Sequence, residues 1–438
     1  MIRTCLALTL ASLVGAGCAA ERGAPDNAPS DAGIPGIDVI EPDASSMRFC
    51  DLPGSIQFTS GGKVAVGGGS NVDKIAFMSL HPGFCVHYFG NVGNTRQLRF
   101  APNGDLFVAS PTAGTTGGGI GGQSAILILP DDNRDGYADA TITFLKDLPS
   151  TQGMLFANDH LYYQDGAQIL RRPFAAGDRR PSDPIEMVAN IDVYSSIGHW
   201  PKPLDQADDG TIYVGNGGDQ GESCDQTHPF HGGILKLDGT TGGRPVSRGF
   251  RNPIAIRCQR GHNLCFALEL AMDYSADFGG REKLVPIRQG DDWGYPCCFT
   301  KGMGAPNISP APDCSGVTPE SVSFLIGDTP FGVDFEPGKW PEPYAGAAFV
   351  AVHGAYGNWM GERLVTIIVD PATGLPHPGS NLPNVSNGAM ESFATGWEES
   401  HQTQGRPSAV AFAADGRLFV GNDNNGDIVW IAPLELEH

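Results

Sequence analysis

Apolar and polar residues alternate along this chain in short runs, each closed by a turn, and the clearest example lies between Ile197 and Gly221. There an apolar approach to Leu204 meets an Asp-Asp-Gly turn, a Thr-Ile-Tyr-Val strand and a glycine-rich exit, which is the pattern of a β-hairpin. Related hairpins carry an aromatic residue in the second strand at Phe107, Tyr162, Tyr213, Phe266, Phe349 and Phe419. The intervals of 55, 51, 53, 83 and 70 residues lie near the ~40–50 residues of one propeller blade, with insertions in the last two. Six such units predict an all-β fold, a six-bladed β-propeller.

Composition agrees, because 60 Gly and 34 Pro among 438 residues suit short strands and tight turns, and no long amphipathic helix is apparent. A closed β architecture commonly runs long as one unit, so the repeat sets the domain count rather than the length. Residues 1–18 read as a secretory or lipoprotein signal: Arg3, an apolar run from Leu6 to Val14, and Gly-Ala-Gly before Cys18, the candidate lipidation site. Residues 19–47 lack bulky apolar groups and read as a disordered tether, 48–434 as the propeller and 435–438 as a tag remnant. The chain is thus expected to be exported, either lipid-anchored at the outer membrane or soluble in the periplasm or outside.

A net charge of −21 with no basic stripe argues against nucleic acid and anionic membrane surfaces as partners, leaving a lipid anchor as the one expected membrane link. Ten cysteines matter more: two fall in the signal, and the even remainder in an exported chain predicts disulfides. Cys258 and Cys265 flank one hairpin turn and are expected to pair, Cys50 with Cys85 would staple the first strands, and Cys224, Cys297, Cys298 and Cys314 pair among themselves in an order left open. Zinc is the competing reading, but no CxxC pair exists.

The clearest metal signal is Pro130 to Asp139. Asp131, Asn133 and Asp135 alternate, Gly136 permits a sharp turn, the Tyr137 carbonyl falls seventh and Asp139 ninth, which is the first part of a calcium loop. Ile142 stands where a closing Glu belongs, and the competing reading is a solvated acidic turn.

Catalytic candidates gather on the hairpin at Ile197–Gly221. His199 precedes the first strand and Asp219 and Gln220 follow the second, so hairpin pairing sets them side by side at one mouth, where a His can act as general base. Gly249-Phe250-Arg251-Asn252-Pro253 and the later GDDWGYP segment add a forked cation on a rigid turn, suited to carboxylates or a quinone oxygen, or to a salt bridge between blades. His228 and His231 read as an ordinary surface loop. Tyr356 and Trp359 are candidates for stacking on a sugar or packing between blades.

Taken in order, His199 ahead of DDGTIYVGNGGDQG, the GFRNP and GDDWGYP segments, HGAYGNW at His353 and GRPSAVAFAADGRLFVGND make the chain resemble the glucose/sorbosone dehydrogenase family, over roughly residues 50 to 433. The resemblance implies pyrroloquinoline quinone (PQQ) at the propeller axis, calcium polarising it, a small sugar as substrate and an external electron acceptor. It implies that His199 is the base, Arg251 stabilises the reduced cofactor, Asn252 contacts it, and Asp219 and Gln220 line the pocket. Arg406 is a candidate to take part of the cofactor's carboxylate binding. Four departures stand out: Ile254 where glucose oxidisers have Gln, Glu269-Leu270-Ala271-Met272-Asp273 in the calcium segment, HGAYGNW without its Arg, and Gly198 before His199. The alternatives are a lactonase-type hydrolase with a metal held by Asp219, Asp273, Asp334 and Asn252, a non-catalytic glycan-binding propeller, and a structural protein of the cell envelope.

Overall fold

Each of the six hairpin aromatics lies in the second strand of an antiparallel sheet. The computed structural model describes residues 34, 36–42, 48–111, 123–191, 199–218, 224, 231–239, 242–271, 275, 280–306, 308–320, 322–354, 361–377, 379–380, 390–399 and 402–438. Its larger sheets begin with strands Gln97–Phe100, Met154–Ala157, Leu204–Gln206, Asn252–Gln259, Pro330–Phe335 and Pro407–Phe412. Each of these strands touches the next, and the last returns to the first, so together they form a closed ring. This is an all-β propeller, and neighbouring sheets are held face to face by aromatic packing. The Phe107 ring, for example, meets Phe156 and Phe174 of the following sheet at 4.9 and 5.6 Å, edge to face.

Ring closure joins the two ends of the chain. The final sheet continues from Asp427–Pro433 to Phe84–Asn91, which pairs with it in antiparallel fashion, and then to Ile56–Thr59 and Gly62–Val66. Such a seam removes the open edges that a linear row of sheets would present. The long hairpin intervals arise from inserted segments: one between Arg281–Pro286 and Val322–Leu325, and another between Arg363–Ile367 and Met390–Thr395.

Disulfides Cys50–Cys85 and Cys258–Cys265 form as expected, and Cys258 stands directly opposite Cys265 across its hairpin. The open set resolves as Cys224–Cys297 and Cys298–Cys314. Consecutive cysteines therefore tie the first insertion both to the loop after Ile212–Asn216 and to itself.

Two segments read as peripheral engage the body more than their composition suggests. Asp38–Ile40, inside the stretch read as a tether, pairs in parallel with Gly62–Val66. Its side chains stay exposed, with Val39 at 43%, so backbone pairing to a bare sheet edge orders it rather than apolar burial. Among residues 435–438, read as a tag remnant, Glu437 bridges Arg48 and the His438 ring meets Phe49 at 4.9 Å.

Candidate functional site

The six ring strands run in a common direction, so their first residues gather at one end of the ring and their last at the other. At the starting end, Gln97 Oε1 accepts from the Met154 amide at 2.7 Å; at the finishing end, Asp205 accepts from Cys258 N and Asp334 from Phe412 N. Arg96, Arg251 and Arg406 each stand one residue before a ring strand, which places three guanidinium-bearing residues at the starting end.

His199 is buried there, and its Nδ1 lies 2.8 Å from the Gly218 carbonyl. A carbonyl only accepts, so Nδ1 carries a proton, and when the ring is neutral its lone pair lies on Nε2, the arrangement a general base needs. Gly218 also donates its amide to the Arg251 carbonyl at 2.7 Å. One residue, through its carbonyl and its amide, therefore joins His199 on one side to the Arg251-Asn252 turn on the other. Only glycine fits there, because a Cβ on Gly218 would stand 2.6 Å from the Tyr295 ring.

Beneath that turn, Arg251 N donates to Glu269 Oε1 at 3.1 Å, and Lys283 Nζ lies 3.5 Å from Glu269 Oε2. Burial pushes the Glu269 carboxyl up, against the pull of Lys283 and the Arg251 amide. Asn252 is buried at the start of its strand. Ile254 instead packs in an apolar cluster with Phe266 and Phe331. Lys202, fully buried, donates to Asn216 Oδ1 at 2.6 Å across the same hairpin as His199.

Across the ring, Arg406 is buried and donates from Nε to the His353 carbonyl at 3.0 Å and from Nη2 to the Gly354 carbonyl at 2.7 Å. His353 Nε2 lies 2.7 Å from Asp423 Oδ2, which Arg96 Nη1 reaches at 3.3 Å, and both His353 and Arg96 pack on the Phe331 ring, at 4.6 and 4.9 Å from its centre. Burial alone would raise the Asp423 carboxyl, but His353 and Arg96 outweigh it and hold it at about 2. Arg96, Asp423, Lys202 and Glu362, which lies 3.6 Å from Arg406, did not emerge from the sequence, and Glu269 emerged only as part of the altered calcium segment. One signal was available for Arg96: it precedes its ring strand as Arg251 and Arg406 precede theirs. Cys18, Asp219, Gln220, Asp273, His228, Tyr356 and Trp359 lie outside the described residues.

The finishing end is a closed lattice of ion pairs. Arg99, third in its strand, reaches back to the carbonyls of Met154 and Leu204, which begin theirs, and to Asp205, and Arg257 clamps Asp334 through Nε and Nη2. Burial pushes the Asp205 carboxyl up to about 7 against the pull of the Cys258 and Gln206 amides. Arg99 at 3.4 Å and Arg257 at 3.9 Å nonetheless favour the ion. The hydrolase set is thereby divided, since Asn252 begins its ring strand and Asp334 sits at the far end of another, bound to Arg257.

The Asp131–Asp139 loop folds largely on itself. Asn133 Oδ1 accepts from Asp135 N, Asp135 Oδ1 from Tyr137 N and Asp139 Oδ2 from Asp132 N, while Arg417 Nη1 reaches Asp131 Oδ2 at 3.4 Å. Among the described residues no three His, Cys, Asp or Glu side chains converge on a point that could hold a metal. Asp131 Oδ1 is buried without a hydrogen bond and is the one carboxylate oxygen here that such an ion would find uncommitted in that way.

No family model and no curated protein matches the chain, whereas solved structures match its fold. A calcium structure of a Trichoderma reesei carbohydrate-active enzyme of family AA12 is 16% identical with a TM-score of 0.64, over 81% of this chain and 97% of that one. The holo form of the pyranose dehydrogenase PQQ domain from Coprinopsis cinerea gives 16%, 0.63, 81% and 96%. The PQQ-bound aldose sugar dehydrogenase from Streptomyces coelicolor gives 16%, 0.54, 81% and 99%. At these identities the likeness is one of fold.

Proposed function

We infer that this chain is an exported six-bladed propeller, each large sheet one blade, that oxidises an aldose or related sugar with pyrroloquinoline quinone at the starting end of the ring. The observation that carries this reading is Gly218, whose carbonyl and amide join a buried histidine to the Arg251-Asn252 turn. The fold likeness to PQQ-dependent sugar dehydrogenases supports it, and four disulfides support an oxidising compartment.

The residues suit the cofactor by charge, because guanidiniums at three ring-strand starts match an aromatic polycarboxylate. Arg251, Asn252 and Arg406 would hold it, with Asp219 and Gln220 added on the strength of the sequence. Bound there, the quinone supplies the acceptor for the hydride leaving the sugar's C1. His199 Nε2 takes the C1 hydroxyl proton, while the Gly218 carbonyl fixes the tautomer and stabilises the imidazolium that results. Burial of His199 excludes water from that transfer. Electrons then leave to an external acceptor.

Calcium in the Asp131–Asp139 loop rests on sequence spacing and on the Asp131 Oδ1 atom, and it requires the neighbouring side chains to release the amides they cap. No step of the reaction is assigned to it.

The test is a titration of the protein with the quinone, followed by its absorbance and by dye reduction with a panel of aldoses. Saturable binding with sugar-dependent reduction that disappears in His199→Ala is the expected result. Failure to bind at high quinone concentration would overturn the reading in favour of a glycan-binding propeller.

A further inference from the structure

The resemblance to sugar dehydrogenases implies a calcium ion beside the quinone, bound where this chain reads Glu269-Leu270-Ala271-Met272-Asp273. Calcium takes roughly six to eight oxygen ligands, and the surroundings of that segment are built for a different charge. A cavity of about 10 Å³, room for one water, lies against it, lined among others by Glu269, Ala271, Arg281, Lys283 and Tyr295. Among the described residues its walls carry one carboxylate and two cations. Glu282, Glu320 and Asp328 face Arg281 from outside that lining.

The fold holds those charges in place. Glu269 and Lys283 stand opposite each other in the register of Leu264–Leu270 and Arg281–Pro286, both side chains buried, with Nζ 3.5 Å from Glu269 Oε2. Lys283 Nζ also donates to the Trp293 carbonyl at 3.0 Å, within the GDDWGYP segment. Glu269 in turn stands opposite Pro253 and accepts from the Arg251 amide at 3.1 Å. The one carboxylate that could serve a metal here therefore faces an ammonium with one oxygen and binds an amide with the other. Arg281, two residues before Lys283 and so on the same face of its strand, is 7% exposed, and its Nη2 is buried without a hydrogen bond.

A divalent ion brought against Ala271 would meet two like charges in a buried wall, where repulsion is poorly screened. An ammonium fixed beneath the Arg251-Asn252 turn already supplies the preorganised positive field that a quinone oxygen gaining electrons requires.

We propose that Lys283 replaces the calcium of the family's cofactor site: its buried ammonium, anchored by Glu269 and Trp293, supplies the positive charge behind the Arg251-Asn252 turn and excludes a divalent ion from it. This rests on the cofactor reading above. Lys283 is a positioning residue, acting through Glu269 and through its field. The Asp131–Asp139 loop, in the sheet that begins with Gln97–Phe100, is a separate matter.

The experiment uses the full chain carrying Asp131→Asn, so that the loop takes no calcium, after treatment with a chelator. Calorimetry follows two titrants: calcium alone, and pyrroloquinoline quinone in chelator or in millimolar calcium. Calcium alone should give no binding that depends on Glu269, and quinone affinity should be the same in both buffers. Lys283→Met should weaken quinone binding about tenfold in both, and Lys283→Arg, which keeps the charge, should recover most of it. A lysine needed only for packing would instead tolerate Met better than the bulkier Arg. Quinone binding that fails in chelator and returns with calcium overturns the proposal, as does saturable calcium binding that Glu269→Gln removes. Equal quinone affinity in Lys283→Met and its parent overturns it too. Should Lys283→Met fail to fold, the two buffers compared in the parent decide. Quinone binding in neither buffer sinks the cofactor reading, and the calcium titration then decides whether Lys283 keeps the ion out.

Discussion

The two ends of the ring are built from the same residue types and treat them in opposite ways. At the finishing end, Arg99, Asp205, Arg257 and Asp334 bond one another and the backbone of five of the six ring strands, leaving the charges with partners on every side. At the starting end, the buried Glu269 and Glu362 carboxyls stand 3.5 and 3.6 Å from Lys283 and Arg406 without the forked bonds of the other end, and Gly218 binds the buried His199. A charge lattice with all its bonds made ties a ring together; one with bonds left unmade keeps a place for a ligand. The difference separates a lock from a site.

That contrast can be broken most directly at the lock. Asp334→Ala leaves Arg257 buried without its fork and should cost about 3–5 kcal/mol, read as a lower urea midpoint, with quinone affinity of the folded protein unchanged. An equal loss of affinity would place Asp334 in the site, as a hydrolase would require. His199→Ala should lower sugar turnover by about 100-fold or more while leaving quinone affinity and the urea midpoint as they were. A change in affinity as large as that in turnover would make His199 a ligand contact and not a base.

The pH dependence of stability comes next, and here two carboxyls slope in opposite directions. Glu362 is raised in the folded chain, so its contribution is full below the ordinary carboxyl pKa of about 4.3 and is lost as pH rises to about 8. Asp423 is depressed, so its contribution is present above about 3.9 and is lost as pH falls toward 2. Urea midpoints measured from pH 4 to 9 should fall with pH in the wild type relative to Glu362→Gln; superimposable curves would mean that Glu362 titrates normally.

Smaller effects sharpen the picture. Arg251→Lys keeps the charge but removes the fork and should weaken quinone binding about tenfold, or roughly 1.4 kcal/mol. Millimolar calcium added to chelator-treated protein should stabilise it by about 1 kcal/mol through the Asp131 loop, an increment absent from Asp131→Asn. Equal calcium response in both proteins would remove the ion from that loop.

Much of the fold was readable because its signals are local. The six aromatics mark second strands because a hairpin's two-residue period and its turn lie within about twenty residues of chain. Cys258 and Cys265 pair across one such turn, and His199 meets the Gly218 exit across another. The strand Asp38–Ile40 escaped notice because composition reports side-chain burial, whereas this segment is ordered by backbone pairing. The hydrolase set looked plausible because a list of carboxylate and amide residues carries no record of which end of a strand each occupies, and Asn252 begins its strand while Asp334 lies near the end of another, bound to Arg257.

What the sequence determined by itself was the repeating unit, the parity of the cysteines and the hairpin that carries the candidate base, since each depends on neighbours along the chain. Tertiary structure alone decided that Cys224 joins Cys297, that Arg96 meets Asp423 and that Glu362 faces Arg406 without bonding to it. Those contacts exist only once the ring has closed, because closure brings strands from both ends of the chain into the same sheet and aligns the starts of all the ring strands at one mouth.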